Sequence, residues 1–144
     1  MISVIPILLS DLKPYMETAF DGDNELWEKY HNADDNFEDT VKNNIVNIEK
    51  MSSSKMTKCY KVEYRGKAIG FSVIVDDGLL YSFGINKYYR NKEIVLKWLS
   101  LIKEIANDFI VILCNENTRA IKFFERNGMY EVNKNNSVTT LIQL

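Results

Sequence analysis

The stretch Asn115-Glu116-Asn117-Thr118-Arg119-Ala120-Ile121-Lys122-Phe123-Phe124-Glu125-Arg126-Asn127-Gly128-Met129 carries the most structural information in this chain. Asn117 is a good helix cap, because its side-chain oxygen can accept from the first unpaired N–H groups. Asn127-Gly128 can end the same helix, since glycine enters the left-handed conformation without a steric penalty. Between them Ala120, Ile121, Phe123 and Phe124 form an apolar face, so the spacing predicts a helix over Thr118–Arg126. Taken alone, those aromatics are more often core than ligand contacts.

The neighbouring segments extend the pattern outward. Residues 109–114 form a continuous apolar run of buried-strand type, ending at Cys114. Residues 93–107 are the clearest helix: Ile94, Val95, Trp98, Leu99, Leu101, Ile102, Ile105 and Ala106 make an apolar stripe, and Lys97, Ser100, Lys103 and Glu104 face away. Residues 129–133 and 138–144 read as strands around the turn Asn135-Asn136. The last strand sets Val138, Thr140 and Ile142 against Thr139, Leu141 and Leu144, and reads as an edge able to pair with another chain.

Upstream the period changes from helical to alternating. Residues 58–64, 68–75 and 79–87 read as three strands joined by the turns Arg65-Gly66-Lys67 and Asp76-Asp77-Gly78, an antiparallel meander. Phe37, Val41, Ile45, Ile48 and Met51 mark one face of a preceding helix. Residues 2–9 have strand character. A short helix follows over 12–20, with Ser10 as its cap and Pro14 in its first turns. A further short helix is expected over 25–31. The order is β–α–α–β–β–β–α–β–α–β–β: an α/β chain with a mixed sheet and helices on both faces.

Composition bounds the function. At 144 residues the chain is expected to hold one domain, 1–144, and 46% hydrophobic content supplies its core. A formal charge of −2 argues against a nucleic-acid binder, which usually carries a basic surplus. Two cysteines, Cys59 and Cys114, make no disulfide framework, and the lone His31 excludes a multi-histidine metal site. Cys114 reads as a buried small residue at a strand end. The start has no leader features and no run is long enough to span a membrane, so a cytoplasmic setting is expected. The abundance of Lys, Asn and Ile hints at an AT-rich coding genome, bacterial or phage.

The junction Lys87-Tyr88-Tyr89-Arg90-Asn91-Lys92-Glu93 stands between a strand and the long helix. The first N–H groups of a helix have no internal partner, and an anionic phosphate is a natural guest there. Lys87, Arg90 and Lys92 would add positive charge. The plain alternative is a solvated loop.

Together the two segments resemble the GNAT superfamily of acyl-CoA N-acyltransferases over nearly the whole chain. Asn117-x-x-Ala120-x-x-Phe123-Phe124-x-x-x-Gly128-Met129 is similar to that family's N-x-x-A-x-x-F-Y-x-x-x-G-F signature. Ile85-x-Lys87-x-Tyr89-Arg90-Asn91-Lys92 is similar to its V-x-P-x-Y-R-G-K. The resemblance implies acetyl-CoA in a V between two strands. Its pantetheine arm would lie along Phe83 and Ile85 and its pyrophosphate on the helix start, from Arg90, Asn91 and Lys92 to Ile94 and Val95. Asn117, Ala120 and Phe124 would be beside it. It implies transfer of an acetyl group to a small-molecule or protein amine.

Three departures matter. Glu93 and Val95 stand at two small-residue positions of the pyrophosphate loop, and both should weaken CoA binding by charge and bulk. Phe124 stands where the family has a thiolate-protonating Tyr. No catalytic residue is assigned. Tyr81, Tyr88, Tyr89 and Tyr130 are candidate proton donors. Glu25, Glu28, His31, Asp34 and Asp35 lie in the acceptor segment, with Trp27 and Tyr30 as a candidate aromatic wall. Two functions follow: an acetyl-CoA-dependent N-acetyltransferase, or a GNAT-fold protein without catalysis that serves binding or assembly, for instance a phage structural or host-interaction protein. A homo-oligomer is compatible with either.

Overall fold

The computed structural model describes residues 1–23 and 36–143. Their strands form a seven-stranded mixed sheet in the order β1-β2-β3-β4-β5-β7-β6. The strands are β1 (Ile2–Ile7), β2 (Thr57–Tyr64), β3 (Lys67–Val75), β4 (Leu79–Ile85), β5 (Ile110–Cys114), β6 (Met129–Lys134) and β7 (Val138–Gln143). The helices are α1 (Lys13–Phe20), α2 (Phe37–Ser52), α3 (Lys92–Ile105) and α4 (Thr118–Arg126). The expected short helix over 25–31 lies outside the described residues. No described helix is long and apolar enough to cross a membrane.

Two apolar clusters sandwich the sheet. On one face Leu12, Met16, Ala19 and Phe20 of the α1 region and Val41 and Ile48 of α2 pack on Cys59, Phe71 and Val73. On the other, Ile94, Trp98, Leu99 and Ile102 of α3 and Phe124 of α4 cover Ile74, Leu80, Val111, Leu113 and Leu141. The α3 stripe is buried where its spacing places it. Trp98 satisfies its indole N–H inside this core by donating to Ser72 Oγ at 2.9 Å.

Local chemistry sets the boundaries. Asn36, Asn91 and Asn117 each cap a helix by accepting from an N–H three residues on. Ser10 does not cap α1: Leu9–Asp11 forms a 3-10 turn instead, and no side chain caps the helix. β4 ends at Ile85 rather than running on to Lys87. Asn86 Oδ1 accepts from the Tyr88 N–H and rolls Lys87–Tyr89 into a 3-10 turn.

The last strand is not an edge. β7 lies between β5 and β6, paired antiparallel with both. The edge is β6, whose Tyr130 and Val132 are exposed. The hairpin folds back inward because β7 can pair with β5 along the whole of that strand, from Ile110 to Cys114, and bury Leu141 in the core.

One pairing positions everything that follows. β4 and β5 run parallel, and only Leu79↔Ile110 and Leu80↔Val111 pair across them. The base of this pair is stitched shut: Asn107 N–H donates to the Asp77 carbonyl at 2.7 Å, and Ile110 N–H donates to the Gly78 carbonyl at 3.0 Å. Gly78 permits the approach, because a Cβ there would stand 2.4 Å from the Asn107 oxygen. Immediately above the base, Tyr81 is an extra residue in β4: Val73 pairs with Ser82 and Ile74 with Leu80. Such a bulge bends its strand and increases the local twist. β4 thereafter follows β3, β5 follows β7, and the two part.

Candidate active site

The gap between β4 and β5 opens into a cleft of about 820 Å³. Tyr81, Ser82, Phe83, Gly84 and Ile85 form one wall, and Ile112, Leu113 and Cys114 the other. Val95, Leu96 and Trp98 of α3 and Ala120, Phe123 and Phe124 of α4 line it from one face of the sheet. Phe20 and Asn44 reach it from the α1 and α2 side. The cleft therefore communicates with both faces.

Backbone groups of β4 are available inside it. Asn86 N–H donates to the Ile69 carbonyl at 2.7 Å, so the alternation of an antiparallel ladder turns Gly84 and Ser82 toward β3. Phe83 and Ile85 consequently present their N–H and C=O to the cleft. The Ile85 carbonyl already accepts from Arg90 Nε at 2.7 Å, which agrees with that orientation.

At one end the cleft meets the start of α3. Asn91 Oδ1 accepts from the Ile94 N–H at 3.0 Å, and the Val95 N–H bonds the Asn91 carbonyl. The N–H groups of Lys92 and Glu93 have no hydrogen-bond partner among the described residues. Arg90, Lys92, Arg119 and Arg126 bring four cationic side chains to the lining, against the single carboxylate of Asp23 among the described residues. Unpaired N–H groups, the positive end of a helix dipole and this excess of cations suit a polyanionic ligand.

The structure brings together most of the residues read from sequence. Phe83, Ile85, Arg90, Asn91, Lys92, Val95, Asn117, Ala120 and Phe124 all line the cleft. Two do not. Ile94 turns its side chain into the core, and its N–H is taken by the Asn91 cap. Lys87 sits outside, its ammonium 5.1 Å from the Tyr88 ring centre, because the 3-10 turn rotates it away. Glu93 is exposed and absent from the lining, so its carboxylate does not plug the helix tip; Val95 does line the cleft.

Phe124 is fully buried, with its ring against Phe83, Phe109 and Phe123, and forms an aromatic floor. Of the described tyrosines, only Tyr81 lines the cleft. Tyr88 and Tyr130 are exposed elsewhere, and Tyr89 packs on Tyr64. Cys114 is exposed at the cleft wall, not buried, because β5 lacks a neighbour on that side. Cys59 is the buried thiol, and burial pushes its pKa up to about 11. Glu25, Trp27, Glu28, Tyr30, His31, Asp34 and Asp35 lie outside the described residues.

Asp23 was not visible from sequence as a cleft residue. It is buried, and it forms an ion pair with Arg90 Nη2. The run Asp21-Gly22-Asp23 has only the composition of a polar turn, and it is the fold that brings Asp23 to the α3 junction.

No protein-family model matches the chain, and no curated protein matches it in sequence. Solved structures do match it in shape. An acetyltransferase from Thermus thermophilus superposes with a TM-score of 0.70 at 12% identity, covering 99% of this chain and 96% of that one. A probable acetyltransferase of the GNAT family from Chromobacterium violaceum gives 0.64 at 16% identity, with 99% and 87% covered. The PaiA N-acetyltransferase from Thermoplasma acidophilum, solved in complex with coenzyme A, gives 0.58 at 15% identity, with 99% and 98% covered. With its parted β4 and β5 and these neighbours, the chain has the fold of the GNAT acetyltransferases.

Proposed function

We propose that this chain is an acetyl-CoA-dependent N-acetyltransferase acting on an amine. The observation that carries the reading is the divergence of β4 from β5 above Leu80 and Val111, into a cleft that ends at unpaired N–H groups. The residues fit the cofactor. Phe83 and Ile85 offer a strand edge for the amide groups of a pantetheine arm. The Lys92 and Glu93 N–H groups, with the Arg90 and Lys92 side chains, suit a diphosphate. Asn117, Ala120 and Phe124 form the wall beside the arm.

Acetyl-CoA supplies an activated acyl group. With it bound, an amine held in the cleft would take the acyl group as the C–S bond breaks, the amine proton passing to water and the thiolate taking a proton in turn. The cleft's contribution is positioning and backbone N–H groups for the developing oxyanion. Phe124 has no proton to give, so thiolate protonation falls to water or to a hydroxyl such as Tyr81 or Ser82. The acceptor enters from the side of Phe20 and Asn44.

Calorimetry with CoA and acetyl-CoA, followed by thiol release over a panel of small amines, tests the reading. Binding heat and amine-dependent thiol release are expected. Absence of heat at saturating acetyl-CoA overturns it.

A second reading, a ligand-binding or assembly protein without catalysis, is favoured by one observation: Phe124 replaces a hydroxyl-bearing ring with a sealed aromatic floor. Measured acetyl transfer to any amine removes this alternative.

A further inference from the structure

Among the described residues, Arg90 is the one cationic side chain of the cleft that the protein itself neutralises. Its Nε donates to the Ile85 carbonyl, and its Nη2 is paired with the Asp23 carboxylate. Asp23 is the only acid lining the cleft among the described residues, and its side chain keeps 9% exposure, whereas the Arg90 side chain keeps 27%. The fixed partner is thus the acid, and the accessible one is the arginine.

The junction has a tie besides this pair. Asn86, itself buried, already ties the end of β4 to the end of α1. Its Nδ2 donates to the Thr18 carbonyl at 2.8 Å and to the Asp21 carbonyl at 3.5 Å, while its Oδ1 accepts from Tyr88 N–H. The ion pair also puts a negative charge on Arg90, at the end of the cleft where α3 begins and an anion would sit.

We infer that Asp23 competes with the cofactor diphosphate for Arg90 and thereby sets how tightly the cleft takes its anionic ligand; this rests on the acetyl-CoA reading above. Asp23 acts through Arg90 and is a positioning residue. The carboxylate cancels the arginine's charge in the free protein, and a phosphate gains the guanidinium only by displacing or sharing it. The device trades affinity for release, which suits a protein that must discharge CoA after each turnover.

The test is CoA titration calorimetry on the wild type, Asp23→Asn, Arg90→Gln and the double variant, with thermal melts to confirm folding. Asp23→Asn keeps the side chain's shape and removes its charge. It is expected to tighten CoA about three- to fivefold, the size of a partly screened ion pair. The gain should shrink as salt is raised to about 0.5 M, and it should vanish in the Arg90→Gln background. A merely structural role would produce neither the salt dependence nor the loss of the gain. If wild type binds CoA and Asp23→Asn binds equally or more weakly, the inference is overturned and the acetyl-CoA reading stands. A gain that persists without Arg90 also overturns it. If no variant binds CoA, the acetyl-CoA reading falls and takes the inference with it.

Discussion

Leu80 and Val111 are the last residues at which β4 and β5 remain paired. One position further along, Tyr81 bulges out of the β3 ladder, and the strands do not meet again. The parting is a consequence of competing partners. β3 holds β4 through Ile85, and β7 holds β5 through Cys114, while the two are joined to each other only at their base, by the turn at Asp77 and Gly78 and the pairs Leu79↔Ile110 and Leu80↔Val111. Each strand keeps its ladder on the outer side, and the inner-side groups of Phe83 and Ile85 face the open cleft rather than a closed core.

Close backbone approach at Gly70 is part of this arrangement. A Cβ at that position would stand 2.1 Å from the Gly84 carbonyl oxygen, a contact with backbone that no rotamer change relieves. Gly70→Ala is therefore expected to destabilise the protein by about 2 to 3 kcal/mol. Urea denaturation reads it as a lower midpoint, and an unchanged midpoint would contradict the packing described.

Ser72 is the buried acceptor for Trp98. Ser72→Ala removes it and leaves the indole N–H buried without a partner. A loss of about 1–3 kcal/mol is expected. Ser72→Thr, which keeps a hydroxyl, should lose less if the hydrogen bond is the cause, and equal losses would point to volume instead.

Val95, not Glu93, is expected to limit CoA affinity. Val95 lines the cleft beside the helix start, while the Glu93 side chain is exposed and outside the lining. Val95→Ala removes two methyl groups without harming the helix, since Ala is the better helix former. Calorimetry should find tighter CoA for Val95→Ala and a smaller change for Glu93→Gln. The reverse order would show that the carboxylate swings into the cleft.

The two thiols should behave oppositely. Cys114 is exposed at the cleft wall, whereas Cys59 is buried with its pKa raised to about 11 by desolvation. Iodoacetamide in mildly alkaline buffer should label Cys114 in the folded protein and Cys59 only after denaturation, as mass spectrometry would show. Saturating CoA should slow labelling of Cys114. The raised value also has a stability sign. Below the ordinary thiol pKa of 9.0 both states keep the proton and pH has no effect through this group. Between there and about 11 only the unfolded thiol ionises, so Cys59 makes stability fall as pH rises. Cys59→Ala should flatten that part of the profile.

Periodicity was enough to locate nearly every described element, because each is decided by residues close in sequence. The α3 stripe, the Asn117 cap and the Gly128 stop are local chemistry, and they fall where their spacing put them. The resemblance to GNAT signatures is legible for the same reason: Asn117, Ala120 and Phe124 share one short helix, and Arg90 to Val95 share one junction. Errors arose where a side chain or a distant strand intervened. Asn86 ended β4 two residues early, and in doing so turned Lys87 away from the cleft. Ile94 belongs to both the helix stripe and the phosphate-loop segment, and the stripe prevails: its side chain is in the core and its N–H is taken by the Asn91 cap.

The order of the strands was the decisive unknown. Alternation in 138–143 says that a strand exists and which residues share a face, yet it contains nothing about neighbours. Whether β7 sits outside or between β5 and β6 depends on which ladders can close together, and that is a property of the whole sheet. The same holds for Asp23. Its carboxylate, unremarkable in a polar turn, becomes the counter-charge of Arg90 only because Asn86 draws the end of α1 against the end of β4. Short-range preferences are encoded within a few residues and can be read one segment at a time. Charge pairing across a cleft is encoded by the folded distances, and no linear spacing carries those.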